Sequence, residues 1–493
     1  MISEKYADQI GEYARAHRQE LVDTVIRLIG VPSVKGEALP GMPFGENCAK
    51  ALKEGMAVCR EYGMDVENHD NYAASATWGQ GDREIGFVAH LDVVPAGDGW
   101  ESDPFTGIER DGFIVGRGSR DNKAGFGAAL MAVNCIRDLG IPIGSSLRLI
   151  MGSDEESGMS DMEYYVKNCH VPDFSIVTDC LFPVAHGEKG RLCGDIIIGM
   201  DTDILRIEGG EAPNIIPSMC TAFIKTGEGG QDLIQAKADK YEGLWTSPAE
   251  GGVIVTARGV CAHASEPEKG INAIWKLASF LYDEEVVSGR EREAMGFIKE
   301  AFGYYYGEYF GISYEDKESG KTTLITGMAS SQEGELRVTI DCRYSVTDKK
   351  ERFMPVFYGR LRELGYEFQL MGLTDSHYIP RDHPAAQKLT EVFNWAAGED
   401  KAPYVLAGGT YASKIPNSVA FGPGNAKERF PYGRGRGDAH QPDESQDIGY
   451  LVDAVKIYAM AIIELDQILH PSYREDDQPA AFAEGRKSKK QGF

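Results

Sequence analysis

The chain has 493 residues, 42% hydrophobic and 26% charged, ordinary proportions for a globular protein and too apolar for global disorder. Lys plus Arg number 51 against 76 Asp plus Glu, a net charge of −25. That charge repels phosphate backbones and offers no basic patch to anionic lipid, so neither a nucleic-acid nor a membrane partner is expected. At about 150 residues per domain the length suggests two to four domains.

The opening MISEKYADQIGEYARAHRQE is charged and lacks the apolar run of a signal peptide,. No stretch reaches the roughly 18 apolar residues of a membrane span. The nine cysteines are scattered, odd in number and never spaced CxxC. They read as inert thiols of a reducing compartment, and the expected location is the cytoplasm.

Taken in chain order, Val22, Val25, Ile26 and Ile29 keep helical spacing until Gly30 and Pro32 stop the run,. EIGFVAHLDVVP reads as a buried strand entering a loop, and DGFIVGRGS as a short strand ending in glycines. NKAGFGAALMAVNCIRDLG reads as a helix closed by Gly140, and SSLRLIMGSDEESG as a strand that spills into an acidic loop. This alternation predicts an α/β domain with a mixed, mostly parallel sheet sandwiched by helices. From about residue 195 the pattern changes. GGVIVTARGV is a strand and GINAIWKLASFLYDE an amphipathic helix. In ELRVTIDCRYSV, Leu336, Val338, Ile340 and Cys342 alternate with polar residues, which predicts a half-exposed antiparallel strand,. A second, α+β domain with an antiparallel sheet is therefore expected over 195–384, between segments 1–194 and 385–470 of the first. The last segment contains a glycine-rich turn, AGGTYA, and a final helix with Leu451, Val455, Tyr458, Ile462 and Leu465 on one face. Residues 471–493 lack periodicity and are expected to be disordered.

His90 and Asp92, two apart at the end of an apolar strand, share a face, and a metal-bound imidazole usually has a carboxylate or carbonyl on its other nitrogen. Asp121 stands where a glycine-rich loop meets a helix, a position that equally suits an N-cap. Asp154, Glu155 and Glu156 crowd a strand end, where carboxylates repel unless neutralised. Asp179 follows the short strand of IVTDCLFP, and His440 and Glu444 lie in GDAHQPDE before the last helix. Singly, each has a bland alternative as cap, solvated loop or exposed histidine. Together, His90, Asp121, Glu156, Asp179 and His440 each follow a strand or precede a helix of the same α/β domain, where ligands gather outside the carboxyl ends of strands. Three carboxylates and two imidazoles suit two divalent cations of the zinc or manganese class.

HLDVVPAGDGW, GRGSRDNK, SDEESG, TDCLFP and HQPDE resemble, in order and spacing, the motifs of metallopeptidase family M20, in its extended, carnosinase-like dipeptidase V branch. The resemblance spans about residues 5–468, and it implies that 1–194 and 385–470 form a catalytic domain and 195–384 an inserted lid that binds substrate. It implies a cytoplasmic dipeptidase with two divalent cations, Zn²⁺ first and Mn²⁺ or Co²⁺ as alternatives. It implies that Asp121 bridges them, that His90 and Asp179 complete one site, and that Glu156 and His440 complete the other. Asp92 would clamp the His90 ring, Glu155 would be the general base and His263, in GVCAHASEPEKGINA, would donate to the oxyanion. Arg343 is expected on the polar face of its strand, where the resemblance implies a grip on the substrate's C-terminal carboxylate. Asn214, Gly409 and Thr410 match further substrate contacts. An insert long enough for two lid-like halves predicts a functional monomer. Two other readings remain at this stage: an N-acyl-amino-acid deacylase of the desuccinylase or deacetylase type with the same ligands, and a silent metal-binding scaffold, against which Glu155 argues.

Overall fold

The strand Glu84–His90 is buried at all seven residues, as its unbroken apolar run requires of a strand covered on both faces. In the computed structural model, which describes residues 1–201, 205–332, 334–428, 430–433 and 435–471, this strand sits at the middle of the first of two units. That unit comprises Met1–His186, Ile379–Tyr404 and, within the described residues, the chain from Thr410 on. Strands Ser146–Gly152, Glu84–His90, Phe174–Val177 and Ser418–Phe421 run parallel in that order. Antiparallel strands flank them: Ala73–Trp78 and Asp65–His69 on one side, Val184–Glu188 on the other. The α/β expectation of a mixed, largely parallel sheet is met.

Helix Lys123–Asp138 packs against Glu84–His90 and Ser146–Gly152, and also against the last helix, Ile448–Leu469. Every residue from Lys123 to Ile136 is buried, which explains the small-residue run AGFGAA. A Cβ at Gly125 would stand 2.4 Å from the Thr178 carbonyl oxygen, and one at Gly127 would stand 2.8 Å from Val25. Close approach therefore requires glycine at both positions.

The second unit, Gly187–Tyr378 with Val405–Gly409, has its own apolar core. Its sheet is antiparallel throughout, in the order Leu244–Ala249, Gly252–Arg258, Met219–Lys225, Leu205–Gly209, Thr323–Gln332, Glu335–Tyr344, Gly190–Gly199, Glu367–Thr374. Helix Ala273–Asp283 packs on Gly252–Arg258, Met219–Lys225 and Thr323–Gln332, and Lys350–Leu364 packs against the last strand. The expected boundary at 194/195 falls inside Gly190–Gly199, a strand that pairs along its whole length with Glu335–Tyr344. The tail expected to be disordered lies outside the described residues from 472 on.

One expectation is corrected. Glu335–Tyr344 alternates in exposure only at its start and is buried from Val338 onward. Arg343 is 6% exposed. Its partner is Asp341 on the same strand, whose carboxylate accepts from Arg343 Nε at 2.6 Å and from Arg191 Nε at 2.7 Å. This ion triad makes burial of the polar face tolerable. Among the described residues no helix is long and apolar enough to cross a membrane.

Candidate metal centre

The parallel strands deliver the site. His90 ends one, and it pairs in register with Gly152, the end of its neighbour. Asp154, Glu155 and Glu156 follow Gly152, and Asp179 follows the strand ending at Val177. Asp121 stands just before helix Lys123–Asp138, and His440 lies in the loop before Ile448–Leu469. The five expected ligands converge.

His90 Nε2 lies 2.8 Å from Asp121 Oδ1 and 3.7 Å from Asp179 Oδ2. The other Asp121 oxygen, Oδ2, lies 3.1 Å from His440 Nε2, which is also 3.1 Å from Glu156 Oε2. Asp121 thus turns its two oxygens to two different imidazoles. Donor atoms of His90, Asp121 and Glu156 lie within 4.8 Å of one another, as do those of His90, Glu155 and Asp179. His90 is fully buried, whereas the His440 side chain is 52% exposed.

Supporting contacts fix these groups. His90 Nδ1 lies 3.0 Å from the Asp92 carbonyl oxygen and 3.5 Å from its carboxylate. The backbone carbonyl is thus the nearer partner, while Asp92 Oδ2 accepts the Glu156 N–H at 3.1 Å. Asn122 donates to Asp179 Oδ1 at 2.8 Å. Two further residues support the turns that carry the ligands, and the sequence reading named only Glu444, without a role. Asp161 accepts the N–H groups of Ser153 and Asp154 and the Tyr411 hydroxyl, which fixes the turn that carries Glu155 and Glu156. Glu444 accepts N–H groups from the turn before Asp121. HQPDE flagged Glu444; nothing local flags Asp161, which sits inside helix Ser160–Asn168.

The donor set fits cations. Burial pushes the Glu155 carboxyl well above the usual range; His90 opposes this, and the charges of Asp179, Asp121 and Glu156 add to it. Burial and then Asp121 push Asp179 up to about 7. Hydrogen bonds to Asp121 and Glu156 raise His440 to about 10. Four carboxylates in one pocket need positive charge, and two imidazoles with carboxylate oxygens are the donors that zinc or manganese take.

In the second unit, Ile215 pairs with His263 and the Asn214 carbonyl accepts the Ala264 N–H at 2.9 Å, which brings Asn214 and His263 together. His263 Nδ1 accepts the Ser265 N–H at 3.2 Å and lies 2.7 Å from its hydroxyl. Burial and the Arg343 charge lower the pKa of His263, which favours the neutral ring. Thr410 is buried and its hydroxyl accepts the Ala412 N–H at 3.1 Å, while Gly409 is exposed.

Residues 86–464 match Peptidase family M20/M25/M40. The chain belongs to this family. A Bacillus subtilis (strain 168) protein named "Putative dipeptidase YtjP" is 32% identical over 467 residues, 91% of this chain and 97% of its own length. A Staphylococcus epidermidis protein named "Putative dipeptidase" is 28% identical over 469 residues, 91% of this chain and 97% of its own. Among solved structures, human carnosine dipeptidase 1 superposes with a TM-score of 0.54 at 14% identity, over 94% of this chain and 99% of that one. The dipeptidase Dug1p from Saccharomyces cerevisiae gives 0.56 at 14%, over 94% and 98%. At such identity the likeness is one of fold. This M20 peptidase is a metal-dependent peptide hydrolase.

Proposed function

We propose that this peptidase is a cytoplasmic dipeptidase working with two divalent cations, Zn²⁺ first and Mn²⁺ or Co²⁺ as alternatives, held by His90, Asp121, Glu156, Asp179 and His440. The observation that carries the reading is the Asp121 carboxylate, one oxygen toward His90 and the other toward His440. When bound, such a pair would polarise the scissile carbonyl and bring the pKa of a water near neutrality. Asp92 holds the His90 ring. Glu155 takes the proton of the attacking water and passes it to the leaving amine. His263 donates from Nε2 to the oxyanion; the Ser265 N–H on Nδ1 leaves the ring proton on Nε2,.

Arg343 holds the C-terminal carboxylate of the dipeptide. Of its five N–H donors, two engage Asp341 and one the Ala407 carbonyl at 3.0 Å. Two are left for substrate, on a guanidinium already immobilised. Asn214, Gly409 and Thr410 add smaller substrate contacts. Nine free cysteines support the reducing compartment. The eight-stranded sheet of the second unit, with four strands in each half, supports action as a monomer.

The test is a panel of dipeptides against N-acetyl and N-succinyl amino acids, with and without chelator. Dipeptide hydrolysis that is lost to the chelator and restored by Zn²⁺, Mn²⁺ or Co²⁺ is expected. Turnover of the acylated amino acids alone would replace this reading with a deacylase, and full activity in metal-free protein would refute the metal assignment.

A further inference from the structure

We infer that Glu444 is a positioning residue for Asp121: its carboxylate gathers the backbone of the preceding turn and fixes where the Asp121 side chain projects. Glu444 is fully buried. Its Oε1 accepts the N–H groups of Gly118 at 3.1 Å, Arg120 at 2.9 Å and Asp121 itself at 3.0 Å. Its Oε2 pairs with Arg117 Nη1 at 2.5 Å. Its own carbonyl accepts the Gly116 N–H and the Ser119 hydroxyl, each at 2.9 Å. The whole turn 116–121 is thus wrapped around one residue.

Glu444 also belongs to the loop of His440, and that loop closes on itself: the Gly437 carbonyl accepts the Ser445 N–H at 2.9 Å and the Pro442 carbonyl accepts the Gly437 N–H at 3.0 Å. One side chain therefore ties the loop that presents His440 to the turn that presents Asp121, the two groups 3.1 Å apart. Charge is essential to this arrangement. Both oxygens face only donors, the guanidinium on one side and three amides on the other. A glutamine offers one acceptor and one donor group. Whichever way its amide is turned, an NH₂ meets N–H groups, and the turn must give.

The inference rests on Asp121 as a ligand of both cations, and the experiment separates the two. The full-length protein is stripped of metal and titrated with Mn²⁺, the free ion being read by electron paramagnetic resonance and the fold by circular dichroism. Glu444→Gln is expected to fold and to require roughly 10–100-fold more free Mn²⁺ for half-saturation, as loss of an outer partner of a metal ligand does. Ile463→Ala, a core change in the final helix, is the control for lost stability alone and is expected to bind as the wild type does. If Glu444→Gln does not fold, Glu444→Asp is read the same way, since it keeps the charge but withdraws the carboxylate by one methylene. A shift below about threefold, or an equal shift in Ile463→Ala, overturns the positioning role. Failure of the wild type to bind Mn²⁺ overturns instead the reading of Asp121.

Discussion

Replacing Glu155 with glutamine tests the proposed chemistry most directly. The change is isosteric and removes one negative charge from a pocket that also holds Asp121, Glu156 and Asp179. Burial and the last three charges already push the Glu155 carboxyl up, so the variant relieves repulsion and the fold should not weaken. Five proposed ligands remain, and metal content should stay near that of the wild type. What disappears is the proton acceptor. Loss of a general base costs roughly 10²–10⁴-fold in kcat, or about 2.7–5.5 kcal/mol in the barrier. Glu156→Gln should behave oppositely. Its carboxylate lies 3.1 Å from His440 Nε2, so that variant should lose metal first and activity as a consequence. The assay is kcat on one dipeptide beside elemental analysis of the same samples. Glu155→Gln retaining activity within tenfold of the wild type, or the two variants matching in metal content, would refute the division of roles.

Arg343→Ala should lower kcat/KM by roughly 10–150-fold, the worth of a charged hydrogen bond. Asp341 keeps Arg191 at 2.7 Å, so the fold should survive; C-terminally amidated dipeptides cleaved as well as free ones would contradict the clamp. Mixing His263→Ala with Glu155→Ala should restore no activity, and substantial recovery through subunit exchange would refute the self-sufficient monomer. Gly125→Ala drives a Cβ to 2.4 Å from the Thr178 oxygen and should cost about 1–3 kcal/mol of stability; an unchanged Tm would show that the helix has room to shift.

Groups at strand ends were legible because punctuation is local. An apolar run that stops at His90, Gly152 or Val177 marks where a chain leaves the sheet, and the chemistry-bearing residue comes within a few positions. The unbroken run EIGFVAH likewise announced a strand covered on both faces. Arg343 shows what such reasoning misses. Its alternation with Cys342 and Ile340 placed it on a polar face, but that face is covered, and what makes the cover tolerable is Arg191, about 150 residues away in the chain and brought beside Asp341 by strand register. Asp161 escaped for the same reason: its partners Ser153 and Tyr411 meet it only in the folded chain, and within its helix it looks like any acidic residue. Asp92 stands beside His90, but its backbone oxygen is nearer the ring than its carboxylate, a distinction no side-chain pattern encodes.

The first unit is assembled from three separated stretches, and this has a consequence for the order of biosynthesis. The ribosome releases His90, Asp121, Glu155, Glu156 and Asp179 early. The parallel strand Ser418–Phe421, His440, Glu444 and helix Ile448–Leu469 emerge only after the whole second unit has been made. That helix packs on Lys123–Asp138, whose side chains, buried from Lys123 to Ile136 in the finished fold, stay partly uncovered until it arrives. The nascent chain therefore holds an incomplete sheet and an unformed centre while the second unit, continuous apart from its Val405–Gly409 stretch, can fold. The five candidate ligands can come together only after the second unit has been synthesised, because His440 follows it in the chain.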